Sequence, residues 1–79
     1  MSPTVFREGP YRFSFYSREE PRMHVHVASS EGEAKFWIEP AIELAENHGI
    51  SNREIGALQK LVESHEQDIR IAWNLHFGS

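Results

Sequence analysis

Three segments in the first half of the chain alternate between apolar and polar side chains with a period of two. They cover residues 11–16, 23–28 and 33–38 and are rich in aromatic or β-branched residues. Side chains along a β-strand point alternately to opposite faces of a sheet, so this alternation predicts three half-buried strands. The connections between them are short, which favours antiparallel neighbours in a β-meander.

The hydrophobic period changes in the second half of the chain. Residues 40–48 carry apolar side chains at helical spacing, begin with a proline and are followed by Gly49, which predicts a short helix. Ser51 and Glu54 form a capping-box pattern at the start of a longer helix that reaches Phe77. The predicted fold class is α+β, with a three-stranded antiparallel β-meander followed by a short and a long α-helix packed on one face (βββαα).

Length and composition narrow the class of protein. The chain has 79 residues, which predicts a single domain over residues 1–79, and it contains no cysteine for a disulfide or a thiolate metal site. We find no secretory signal and no membrane-spanning apolar run, so we expect a cytoplasmic protein without membrane contact. The formal net charge of −4 argues against a protein that wraps a nucleic-acid backbone, and we expect no direct nucleic-acid binding.

Two histidines lie one residue apart in the second predicted strand. His24 and His26 therefore share a strand face, away from the core. They are interface or structural residues, part of a metal site, or an acid–base pair of a small ribonuclease toxin. A zinc site needs three or four protein ligands, no third ligand lies at a familiar spacing, and no basic groove for phosphates is evident. We therefore expect no catalytic residue, no metal and no cofactor, with the His-dependent metal protein or ribonuclease as the alternative.

Aromatic and basic side chains share the same predicted strand faces. Trp37 and Lys35 fall on the face opposite to Phe36, and pairing of the meander would bring them beside the two histidines. Trp, Tyr and Arg are the usual anchors of protein interfaces. The sequence therefore predicts a partner-binding face composed of Arg12, Tyr16, His24, His26, Lys35 and Trp37. The alternative is that the helices cover this face and Trp37 belongs to the core.

Two other features bear on partners. Glu39, Glu43 and Glu46 recur at positions i, i+4 and i+7, which predicts a carboxylate stripe on the short helix. Such a stripe either imitates nucleic-acid phosphates toward a basic partner or is an ordinary solvated face, and we include it among the predicted partner-binding residues. The end of the long helix, around Trp73 and Phe77, is the predicted contact of a homodimer.

The chain also resembles a known family. The resemblance lies in the opening residues 2–7, the block Glu-Pro-Arg-Met-His-Val-His-Val at 20–27, the block Gly-Glu-Ala-Lys-Phe-Trp-Ile at 32–38, and the ending 72–78. Together these resemble the DUF4160 family, small bacterial and phage-linked proteins of uncharacterised function. Members often look like one half of a two-gene module, in the manner of toxin–antitoxin pairs. Small acidic proteins of this size also recur among inhibitors of host defence, anti-CRISPR proteins included.

The resemblance implies mobile-element regulation rather than metabolism, and it assigns no catalytic residues. We therefore expect a non-enzymatic, small acidic interaction protein that binds and regulates or inhibits a partner protein complex. The partner classes that this implies are a nucleic-acid-processing defence complex and a cognate toxin or antitoxin.

Overall fold

The computed structural model describes residues 4–16 and 21–78, which form a five-stranded antiparallel sheet followed by two helices. The strands are β1 (Thr4–Glu8), β2 (Tyr11–Ser14), β3 (His24–Ala28), β4 (Glu33–Trp37) and β5 (Glu43–His48), and the helices are α1 (Asn52–Ser64) and α2 (Glu66–Phe77). The strands lie side by side in chain order. The predicted α+β class is confirmed and the meander corresponds to β2–β4, but the predicted strand number was wrong because β1 and β5 flank it.

The apolar face of the meander packs against the helices. Phe13 pairs with Val27, which pairs with Ala34, while Val25 pairs with Phe36. Residues directly opposite each other on paired strands share a face, so these rows form one continuous apolar surface. Burying it against helical side chains is the main source of stability in a domain of this size. The helical contribution to this core is Ile55, Leu58, Val62, Ile69 and Trp73.

β1 extends the sheet beyond the predicted meander. It turns into β2 through Gly9, whose φ of 57° lies in the left-handed region that glycine tolerates. Phe6 stacks on Phe13 with ring centroids 4.2 Å apart, which ties the edge strand to the core. The register shifts between Thr4 and Phe6, so an irregularity interrupts this edge. Such bulges blunt an edge strand against pairing with other chains.

Residues 43–48 form a strand, so the predicted short helix over residues 40–48 was wrong. The segment pairs antiparallel with β4, with Lys35 opposite Glu46 and Trp37 opposite Glu43. A short apolar run satisfies both helical and strand patterns, and pairing of its backbone groups with β4 decides between them. The residue expected to end the helix, Gly49, instead has a φ of 98° just after β5.

The predicted long helix is in fact two helices, so the prediction of one continuous helix was wrong. The predicted apolar face is present, because both helices bury residues in the core. α1 ends as the Ser64 hydroxyl donates to the carbonyl of Leu61 over 2.9 Å, while the His65 amide donates to the same carbonyl over 3.0 Å. The His65 ring lies against Phe6, with centroids 4.2 Å apart. Side-chain bonding to helix carbonyls and this tertiary contact favour the break. Neither α1 nor α2 has the length and apolar character needed to cross a bilayer.

The predicted capping box at the start of α1 is confirmed in part. The Ser51 hydroxyl oxygen accepts from the Glu54 backbone amide over 3.2 Å, which satisfies one of the unpaired donors of the first turn. The Glu54 carboxylate accepts hydrogen bonds from the hydroxyls of Ser51 and Tyr11. Ser51 therefore caps the helix, and the Glu54 carboxylate ties the start of α1 to the start of β2.

Candidate functional site

The sheet face opposite the helices, which we call the polar face, brings most of the predicted binding residues together. One row across four strands runs from Ser14 through His26 and Lys35 to Glu46. A second row pairs His24 with Trp37 and Trp37 with Glu43. The polar face is composed of Arg12, Ser14, Tyr16, His24, His26, Glu33, Lys35, Trp37, Glu43 and Glu46. The sequence thus predicted the correct strand faces for both histidines, Lys35 and Trp37.

Two cationic side chains pack against the ring of Trp37, at the end of β4 on the polar face. The guanidinium carbon of Arg22 lies 4.2 Å from the Trp37 ring centroid, and the ammonium nitrogen of Lys35 lies 4.4 Å from it. Each geometry fits a cation–π interaction worth about 0.5–2 kcal/mol, depending on desolvation. Arg22 is held in place because its Nε donates to the backbone carbonyl of Glu39 over 2.7 Å. The indole is half-buried, so part of its surface remains accessible to a partner.

A second aromatic contact lies beside the group formed by Trp37, Arg22 and Lys35. Tyr16 stacks on His26 with ring centroids 3.8 Å apart and an interplanar angle of 14°. The Tyr16 hydroxyl donates to a Glu33 carboxylate oxygen over 3.3 Å. Both stacked rings are half-buried. The stack and the neighbouring strands therefore restrict the rotamers of both rings before any partner binds, which lowers the entropy cost of an interface.

His24 is fully buried, which corrects the prediction that it is an exposed binding residue. Its ring lies 5.2 Å from the His26 ring, 5.5 Å from Trp37 and 5.2 Å from Trp73, centroid to centroid. Nδ1 is 2.6 Å from the carbonyl oxygen of Arg22, and because a carbonyl only accepts, Nδ1 carries the proton. The physical reason for the burial is that α2 brings Trp73 against this end of the sheet.

Lys35 is also more buried than predicted, with 8% of its surface exposed. Its ammonium is 3.9 Å from a Glu46 carboxylate oxygen and contacts the Trp37 ring. A lysine in the middle of a sheet can lay its aliphatic stem along the strands and keep its charged end among polar partners. We therefore correct its predicted role: Lys35 supports the ring of Trp37 rather than presenting a free charge.

The three predicted glutamates do not form a stripe. Glu39 lies beyond the end of β4 and binds Arg70, whereas Glu43 and Glu46 belong to β5. Glu46 contacts His48 over 3.1 Å as well as Lys35. The i, i+4, i+7 pattern aligns side chains only on a helix, and this segment is a strand. Phosphate imitation by a helical carboxylate row is therefore overturned.

The remaining predicted residues fall at two other places. Arg12 is half-buried towards the β1 edge of the polar face, where its Nε donates to the Thr4 hydroxyl oxygen over 2.8 Å. Trp73, the predicted dimer contact, is 7% exposed and packs edge-on against Phe15 with centroids 5.3 Å apart. Its ring therefore stabilises the fold of a single chain and is not an exposed dimer contact.

Within residues 4–16 and 21–78, no group of three or more His, Cys, Asp or Glu side chains has the geometry to hold a metal ion. His48 and Glu46 approach each other over 3.1 Å, and His65 lies 3.5 Å from Asp68. His65 also lies 3.8 Å from a Glu8 carboxylate oxygen, and Glu46 also contacts Lys35. These contacts fit ordinary weak surface electrostatics.

Arg22 is a residue of the candidate site that was not predicted from the sequence. It precedes β3 in a polar segment after Pro21, and nothing in its local pattern marks it. The signal lay in the register: His24 pairs with Trp37, so two further residues along both strands bring Arg22 opposite Glu39. The β3–β4 register of the structure thus puts Arg22 on the same face as Trp37, where its guanidinium reaches the indole ring.

Comparison with known proteins identifies a family but no characterised relative. The family model described as "Domain of unknown function (DUF4160)" matches residues 11–74 of the 79-residue chain. No curated protein and no solved structure matches the chain. The matched region includes the whole of β2–β5 and α1 and the first nine of the twelve residues of α2, so the family model covers the polar face.

Proposed function

Because the chain belongs to the DUF4160 family, whose description assigns no activity, we propose a function from the geometry of the polar face. The protein acts as a non-enzymatic interaction protein that binds and regulates or inhibits a partner protein complex. In the finer form of the proposal, which rests on the family resemblance, it is a mobile-element protein. Its partner is then a nucleic-acid-processing defence complex or a cognate toxin or antitoxin.

The observation that carries this proposal is the half-buried Trp37 with Arg22 and Lys35 against its ring. Tryptophan, tyrosine and arginine dominate the binding energy of protein interfaces when they sit in preorganised surroundings. Here the indole is positioned by strand pairing and by two cations, and the Tyr16–His26 stack lies beside it. A partner would therefore bind a rigid aromatic surface, because folding has already restricted the side-chain rotamers and little further entropy is lost on binding.

The environment of His24 supports binding over acid–base catalysis. A general acid or base must reach the substrate proton within hydrogen-bonding distance. The His24 ring is fully buried among His26, Trp37 and Trp73, and its Nδ1 proton is directed at the Arg22 carbonyl. These contacts suit a side chain that shapes the sheet end beneath the binding surface.

Charge supports a partner with a basic surface. The chain carries a formal charge of −4, and Glu33, Glu43 and Glu46 are exposed on the polar face or at its β5 edge. Long-range complementarity mainly accelerates encounter and weakens as salt screens it. We therefore propose that the acidic side of the face steers a basic partner while Trp37 supplies most of the short-range affinity.

The test is copurification with the product of the adjoining gene, followed by titration calorimetry on the purified pair. Trp37→Ala should weaken binding by about 30-fold or more, the loss expected for an interface hot spot of about 2 kcal/mol. Circular dichroism must show that the variant keeps its fold. Leu75→Ala is the matched control, because Leu75 is 81% exposed on α2 and is not one of the residues that compose the polar face.

Wild-type affinity should survive in the Leu75→Ala control. If Trp37→Ala binds as tightly as the wild type, or if only Leu75→Ala loses affinity, the polar face is not the interface. Growth arrest that depends on His26 in cells expressing the protein alone would instead favour the ribonuclease alternative.

A further inference from the structure

Arg22 is anchored at both its backbone and its side chain where it reaches the Trp37 ring. Its carbonyl oxygen is 2.6 Å from Nδ1 of the fully buried His24. Its Nε donates to the backbone carbonyl of Glu39 over 2.7 Å, and its guanidinium carbon lies 4.2 Å from the Trp37 ring centroid. Because Arg22 is an exposed residue, these contacts rather than burial restrict its side chain.

Glu39 is in turn tied to the helix layer. Its carboxylate accepts a hydrogen bond from Nη1 of Arg70 on α2 over 2.7 Å. Nε of Arg70 donates to Glu66, one helical turn earlier, over 2.8 Å, so two carboxylates orient the guanidinium. These hydrogen bonds, to Glu39 first and then to Glu66, raise the pKa of Arg70 above its ordinary value.

The two sets of contacts meet at Glu39 and link the two faces of the sheet. α2 packs on the core side, where Trp73 is buried, whereas Trp37 lies on the polar face. The side chain of Glu39 is bound by Arg70, and its backbone carbonyl is bound by Arg22. Because both groups belong to one residue, release of the carboxylate frees the carbonyl to move as well.

We propose that Arg70 is a positioning residue of the polar face. Through Glu39, it holds the guanidinium of Arg22 in place over the indole that a partner recognises. This inference rests on the function proposed for the polar face and adds that α2 supports the binding surface from the opposite side of the sheet. A partner then binds a guanidinium–indole pair whose geometry is fixed before the encounter, so less side-chain entropy is lost.

The first measurement needs no partner. In ¹⁵N-labelled protein, the rate at which the Arg22 Nε proton exchanges with water reports its hydrogen bond to Glu39. Arg70→Gln should accelerate this exchange roughly two- to fivefold, the range for loss of one partly exposed ion pair. The guanidinium lies over the Trp37 ring, so the ring-current shift of the Arg22 side-chain protons should also decrease.

Two further variants test the route and the charge. Glu39→Ala removes the carboxylate but keeps the backbone carbonyl, and it should produce the same acceleration as Arg70→Gln. The double variant should add nothing further, because the two residues act in one chain of contacts. Arg53→Gln is the matched control, since it makes the same chemical change at an exposed position of α1, and it should leave the Arg22 signals unchanged.

The second measurement is titration calorimetry with the product of the adjoining gene. Arg70→Gln should weaken binding by roughly two- to fivefold, whereas Arg53→Gln should bind as the wild type does. In a Trp37→Ala background, Arg70→Gln should cause no additional loss, because the ring that Arg22 covers is gone. Circular dichroism melts must show that each variant is folded at the temperature of the measurement.

Three results would overturn the proposal. One is an unchanged Arg22 exchange rate in Arg70→Gln and Glu39→Ala, and another is an equal acceleration in Arg53→Gln. The third is wild-type affinity in Arg70→Gln when Trp37→Ala loses affinity. Failure of the function proposed for the polar face has a different signature, in which Trp37→Ala itself binds as tightly as the wild type although Arg70→Gln still releases Arg22.

Discussion

The backbone of His48 and Gly49 leaves no room for a side chain at Gly32, which makes a sharp prediction about this residue. This residue precedes β4, and the backbone that follows β5 passes directly over it. A Cβ atom added to Gly32 would overlap the carbonyl oxygen of His48 and lie 3.0 Å from the Cα of Gly49. Both neighbours are backbone atoms, so no side-chain rotation can relieve the overlap. We predict that Gly32→Ala separates the paired ends of β4 and β5.

The expected loss of folding free energy in Gly32→Ala follows from the kind of atoms that the new Cβ atom would overlap. Overpacking a well-packed site costs about 1–3 kcal/mol, and a backbone neighbour places this case at the upper end, so we expect roughly 3 kcal/mol. A domain of this length has a free energy of unfolding of about 4–12 kcal/mol, so the loss is a large part of it. Because Glu33 pairs with His48, the same displacement would disturb the register that positions Lys35.

Gly56→Ala is the matched control, with the same substitution in α1. A Cβ atom at Gly56 meets nothing within 4 Å, and alanine is the better helix former by about 1 kcal/mol. Urea unfolding followed by circular dichroism should therefore show the two variants moving in opposite directions. In thermal melts, each kcal/mol corresponds to about 4–8 °C in a domain of this size. A Gly32→Ala protein as stable as the wild type would refute the reasoning.

Two further predictions concern protons and metals. The hydrogen bond to Glu54 raises the pKa of Glu31, whereas hydrogen bonds from Tyr11 and then Glu31 lower the pKa of Glu54. An NMR titration should show Glu31 protonating above the ordinary glutamate range, and Glu54→Gln should return it towards that range; an unchanged Glu31 titration would contradict the contact. The raised pKa of Glu31 stabilises the fold at low pH, and this stabilisation is lost as pH rises through the pKa of Glu31 in the folded protein. The lowered pKa of Glu54 stabilises the fold at higher pH, and that stabilisation is lost as pH falls through the pKa of Glu54 in the folded protein. Chelation with EDTA should leave the melting temperature unchanged, whereas a fall of several degrees that zinc restores, and that is absent in His26→Ala, would show metal held with the help of His26.

Local pattern was sufficient for the three central strands. In residues 23–28 and 33–38, strict alternation places Val25 and Phe36 on the core side, and both are fully buried. A period of two has no helical solution that buries the same residues, so the pattern has one interpretation. The same argument holds for the spacing of Leu58 and Val62 in α1, which buries one face of the helix.

Local pattern gave wrong predictions where the same residues fit two kinds of secondary structure. Residues 43–48 have too few turns to separate a helix from an edge strand, and β4 supplied the backbone partners that decided it. At the break between the helices, His65 contacts Phe6, which lies almost sixty positions earlier in the chain. Because these two residues are far apart in the sequence, local helix propensity could not reveal the contact and predicted one continuous helix.

The candidate site also has some features that the sequence determined and others that only the tertiary structure decided. Alternation along the strands determined that His24, His26, Lys35 and Trp37 share one face, since side-chain direction is a local property of a strand. Only the tertiary structure decided which of them reach solvent, because burial depends on chain segments that arrive from elsewhere. Trp73 on α2 seals His24, and Arg22 and Lys35 enclose Trp37. The hydrogen bond from Arg70 to Glu39, two residues 31 positions apart, likewise formed only because the tertiary structure brings the β4–β5 connection against α2.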